Sequence, residues 1–117
     1  MSRALVPAAL AGTALQVLMV VAGHYAPAAQ ALLFPVAGSL IGGVTGWLSA
    51  RGVPRQAAVL GMTGGAMTGG LAGALGSLVS TALGDVPASN VVIATASTIV
   101  TGLIGAAVRV MTRPQGA

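Results

Sequence analysis

Residues 61–76 read GMTGGAMTGGLAGALG, and Gly61, Gly65, Gly69 and Gly73 fall four residues apart. On an α-helix, positions i and i+4 share a face, so these glycines form one stripe without side chains, which Ser77 and Thr81 extend. A glycine costs a helix about 1 kcal/mol relative to alanine. Four in register need an environment that both holds the helix and uses its flat face. A bilayer with a closely packed partner helix does both, in the manner of GxxxG contacts. The spacing predicts a small polytopic membrane protein packed through glycine.

Composition points the same way. Of 117 residues, 56% are hydrophobic and 5% charged, where a soluble domain carries about a quarter charged residues. A span takes about 20 apolar residues, so four spans use nearly the whole chain and leave little for a soluble catalytic domain. The absence of cysteine removes disulfides, thiolate ligands and thiol catalysis. The pI of about 11.8 comes from five arginines against one acid. They are dispersed without a basic run, so no nucleic-acid partner is expected.

The expected spans cover residues 4–23, 28–50, 56–83 and 91–111, within a single membrane domain of residues 1–117. The first follows Arg3 and has Pro7 in its first turn, where proline is tolerated. Its apolar run exceeds the roughly 7 to 15 residues of a signal-peptide core, so it reads as an uncleaved helix. Tyr25, in the turn that follows, suits a membrane interface. Pro35 is expected to kink the second span, in which Gly38, Gly42, Gly46 and Ala50 make a second small-residue stripe. That stripe is expected to face the one on the third span. A third row, Thr98, Gly102 and Ala106, lies on the fourth. Gly64, Thr68, Ala72, Gly76 and Ser80 form another row beside the main stripe, suited to a second subunit or a foreign helix.

Charge sets the expected topology. Four spans place Arg3, Arg51, Arg55, Arg109 and Arg113 on one side, with Trp47 one helical turn before Arg51, and His24 and Asp85 on the other. By the positive-inside rule both termini are cytoplasmic, consistent with the inner membrane of a bacterium.

Groups able to carry chemistry are few. No ionisable residue lies within a span away from its ends, which argues against proton-coupled transport. Gln16 is the strongly polar side chain near mid-span, and it is expected to hydrogen-bond a Ser, a Thr or a backbone carbonyl of another helix. His24 is the candidate cofactor ligand, though neither a metal site nor a bound cofactor is expected of a lone histidine. A His24–Asp85 contact could tie the two outer turns together. Thr95, Thr98 and Thr101 are candidates for a polar lining. One His and one Asp at a membrane surface do not assemble a nucleophile, a base and an orienting group, so catalysis is not expected.

The expected fold class is thus an all-α integral membrane protein of four helices packed as a glycine zipper. Its expected function lies in helix packing, as a homo-oligomer or as an accessory subunit beside another membrane protein. The alternatives are an oligomeric pore and a cofactor-holding subunit whose flat glycine face accepts a planar ring.

Overall fold

Helices form between the proline- and glycine-bearing turns that the sequence marks. The computed structural model describes residues 2–112, with the side chains of all but residues 2, 3 and 31–33. Among the described residues are four helices, α1 (Ser2–Tyr25), α2 (Gln30–Ser49), α3 (Ala58–Ala82) and α4 (Asn90–Met111), and no strand. Single 3₁₀ turns at Pro27–Ala29 and Arg55–Ala57 lead into α2 and α3. Three stretches, Ala4–Tyr25, Arg55–Ala82 and Asn90–Met111, are long and apolar enough to cross a membrane. α2 continues unbroken through Pro35, and its 20 residues measure about 30 Å at 1.5 Å per residue.

Successive helices run in opposite directions. α1 packs on α2 and α3, α4 packs on the same two, α2 and α3 touch across the centre, and α1 and α4 lie farthest apart. This geometry corrects the expected pairing of the two glycine stripes. The stripe on α2 does not seat on that of α3; both converge on α4. A Cβ at Gly46 would overlap the carbonyl of Gly102, one at Gly42 would overlap the Thr101 hydroxyl, and one at Gly65 would meet Gly102 and Ala106. Gly69 and Gly73 abut Thr98, while Gly38 turns to Met19 and Gln16 of α1. The small row Thr98, Gly102 and Ala106 is narrow enough to take a helix on either side, which two facing glycine stripes alone would not provide.

The neighbouring row of α3 is also covered within the chain. Gly64, Thr68, Ala72, Gly76 and Ser80 are all buried, and a Cβ at Gly76 would stand 2.7 Å from the Cβ of Gln16. α1 thus packs on this row at Gly76. Every described glycine inside the four helices is buried or half-buried, and the exposed ones, Gly52 and Gly84, lie in turns. Large apolar side chains point outward instead, among them Leu10, Leu18, Leu40, Met67, Ile93 and Ile104.

The two ends are built differently. After α2, Gly52 adopts φ +80°, a conformation that costs an L side chain more than it costs glycine. The turn brings Val53 inward against Ala50, Ala106 and Val110. After α3, Gly84 adopts φ +79° and its N–H donates to Thr81 O at 3.0 Å, while that of Asp85 donates to Ser80 O at 3.1 Å. This Schellman pattern satisfies the terminal carbonyls of α3 and fixes where Asp85 stands.

Candidate functional site

α2 and α4 run parallel, and their C-terminal halves are in backbone contact. A Cβ at Gly105 would overlap the carbonyl of Gly43, as one at Gly46 would that of Gly102. Nearer their N-termini glycine gives way to Phe34 and Pro35 on α2 and to Ile93 and Ala94 on α4. Between these halves lies a cavity of about 530 Å³, walled on its other sides by α1 and α3. That volume is within the usual range of small-molecule sites.

Thr98 closes the cavity at mid-bundle. It is buried among Gly42, Gly69 and Gly73, and its hydroxyl donates to Ala94 O at 2.8 Å. Gln16 forms part of the α1 wall, buried, with its Nε2 donating to Gly38 O at 3.0 Å. The partner that the sequence requires for Gln16 is therefore a backbone carbonyl of α2, reached because Gly38 and Gly76 leave it space. At the open end His24 Nδ1 lies 3.1 Å and 3.0 Å from the two carboxylate oxygens of Asp85. The pair joins the end of α1 to the turn before α4, and Gln30 Nε2 donates to Gly23 O at 3.1 Å beside it. The edge of the Tyr25 ring packs on His24.

Hydroxyls divide into two groups. Those of Thr45, Ser49, Thr68, Thr81 and Thr95 donate to backbone carbonyls of their own helices, as Thr98 does. Ser77 and Ser80 are 5% and 1% exposed, and the oxygens of both, like that of Thr101, have no hydrogen-bond partner. Thr101 lies against Gly42; Ser77 and Ser80 line the cavity. The sequence marks both serines as small residues, but it does not reveal that they line a cavity without hydrogen-bond partners. That follows from the splay of α2 from α4. Thr95, Thr98 and Thr101 lie on α4, Thr98 buried and the other two half-buried.

At the opposite end Arg109 stacks over Trp47, with its guanidinium carbon 3.8 Å from the ring centroid, and donates to Trp47 O at 3.0 Å. Arg51 and Arg55, on the α2–α3 connection, share this end. Arg113 lies outside the described residues, as does the side chain of Arg3. A second hollow of about 510 Å³, between α1 and the end of α2, is lined chiefly by Ala4, Pro7, Ala8, Ala11 and Leu48. None of the unpartnered hydroxyls borders it.

No group of three or more His, Cys, Asp or Glu able to hold a metal ion occurs among the described residues. On α3, Gly76 is covered by α1 and Gly65, Gly69 and Gly73 by α4, and His24 Nδ1 is engaged by Asp85. Comparison with protein-family models, characterised proteins and solved structures finds no match.

Proposed function

We propose that the protein is an integral membrane bundle of four spans, resident in a bacterial inner membrane with both termini cytoplasmic, that acts as a structural or accessory component and not as a catalyst. The observation that carries this reading is its inverted distribution of side chains. Gly, Ala, Ser and Thr, with Val20, Val53 and Val110, fill the interior, while most of the large apolar side chains face outward on all four helices. In water, burial of large apolar surface is the main drive to fold, and this bundle would leave that surface outside. In lipid the apolar exterior is solvated, and small residues let helices approach closely.

Arg51, Arg55 and Arg109 at one end and His24 with Asp85 at the other support the orientation through the positive-inside rule. Because glycine closes the chain on itself, further association would use the outer Leu, Ile and Val surface, as an accessory subunit does when it joins a larger complex.

Native absence of cysteine makes the test direct. Gln56→Cys and Ala88→Cys, both at exposed turn positions, are treated in intact spheroplasts with a membrane-impermeant maleimide. Ala88→Cys should react and Gln56→Cys should react only after lysis. The opposite pattern would overturn the orientation, and release of the protein from membranes by alkaline carbonate would overturn the membrane assignment. A mass in mild detergent that includes a larger protein in fixed ratio is the expected sign of an accessory subunit.

A further inference from the structure

We propose that the cavity between the N-terminal halves of α2 and α4 binds an uncharged, lipid-soluble molecule whose hydroxyl or carbonyl head bonds to Ser77 and Ser80. The proposal rests on the membrane reading above, because it takes the ligand from the bilayer.

The unpartnered hydroxyls of the site are on the α3 wall. A buried serine in a helix ordinarily donates to a carbonyl of the preceding turn, as Ser49 does at 2.7 Å. Ser77 and Ser80 lie three residues apart on one face, line the same cavity and lack any such bond. Buried polar groups are almost always partnered, so two orphans at one void call for a missing partner. Each hydroxyl turns about its own χ1 and both donates and accepts, so it suits a carbonyl or an alcohol alike.

Charge narrows the class. Among the described residues no Arg or Lys lines the cavity, so an anionic head would enter without a counter-charge, at high cost in a low-dielectric site. Asp85 is the one acid at the cavity and already faces His24 at 3.0 Å, which leaves little attraction for a cationic head. An apolar body can lie on Met19 and Val20 of α1 and on Phe34, Pro35 and Ile93 where α2 and α4 part, which line the cavity beside the polar Ser39, Asn90 and Ser97. With the four helices in a bilayer, that parting faces hydrocarbon, so an acyl or isoprenoid body can extend outward while its head stays on α3.

The test uses the full chain in phosphatidylcholine nanodiscs and three photoreactive probes with the same diazirine-bearing hexadecyl chain. Their heads are an alcohol, a carboxylate and a quaternary ammonium. After illumination, adducts are mapped by peptide mass spectrometry. The alcohol should label residues 34–39 and 90–97, more than the charged probes by about five-fold, the scale of one hydrogen bond. Unlabelled hexadecanol should compete and hexadecane should not. The double substitution Ser77→Ala with Ser80→Ala should lower alcohol labelling to the level of the charged probes. Equal labelling by all three heads, equal competition by the alkane, or adducts confined to outer faces or to the hollow beside Ala8 would overturn the site. Should the double variant fail to insert, competition on the native chain still decides the matter. A native protein not recovered in the nanodisc fraction would instead overturn the membrane reading itself.

Discussion

The same two helices, α2 and α4, behave in opposite ways along their length. In their C-terminal halves Gly46 meets Gly102 and Gly105 meets Gly43, backbone against backbone. In their N-terminal halves Phe34 and Pro35 stand apart from Ile93 and Ala94 across a cavity. Close approach needs glycine on both partners at the same level, and it occurs where the sequence supplies it. Where larger residues begin, a cavity opens and polar groups border it: Gln16 satisfied by a carbonyl, Asp85 by His24, and Ser77 and Ser80 by nothing among the described residues. One half of the bundle is thus suited to holding the helices together and the other to holding something else.

The largest expected effect tests that division directly. Gly46→Ala places a methyl group on the Gly102 carbonyl, which a backbone must move to admit. Overpacking typically costs 1–3 kcal/mol, and a rigid obstacle lies at or beyond the upper end, so a loss of about 3 kcal/mol or more is expected in detergent unfolding. Gly38→Ala meets nothing closer than the Met19 Cε at 3.5 Å, so its effect should stay within about 1 kcal/mol, the size of the alanine propensity gain. Similar losses at both positions would mean that the tight and open halves do not differ.

A second substitution probes the boundary between the halves. Gln16→Ala removes the interhelical bond to Gly38 O, a carbonyl that keeps the intrahelical N–H of the next turn of α2. Interhelical hydrogen bonds in membrane proteins contribute about 0.6 kcal/mol on average and up to about 1.7. Loss of packing against Gly76 adds to this, so a decrease of about 1–2 kcal/mol is expected, measured by the same unfolding transition. If Gln16→Ala proves as damaging as Gly46→Ala, the polar boundary and not the glycine contact holds α2 in place.

How much of this was legible in the sequence differs by residue. Gly and Pro in the turns, with the apolar runs between them, set out four helices, because helix breakers and span length are local properties. Gly84 could be read as a helix stop. Gln16 could be read as needing a partner, and the alternation of spans placed His24 and Asp85 at one end. The partners of the glycine stripes could not be read. A bare face fits any other bare face, and periodicity gives the direction in which a stripe points without naming the helix it meets. Gly102, a single glycine flanked by Thr98 and Ala106, proved more central than the longer stripe on α2. The cavity was hidden for a related reason: it results from the divergence of two axes, which no single residue encodes.

The smallest expected effect concerns the closure of the open end. The His24 side chain is 37% exposed and that of Asp85 12%, so water reaches at least one member of the pair. Exposed ion pairs contribute about 0–1 kcal/mol, and a double-mutant cycle with His24→Gln and Asp85→Asn should give a coupling within that range, weakening as salt is raised. The tight half should not register the change, because Gly46 and Gly102 lie several helical turns away. A coupling of several kcal/mol, insensitive to salt, would place the pair in a dry environment. The His24–Asp85 end of the cavity would then be sealed, and ligand entry would be confined to the gap between α2 and α4.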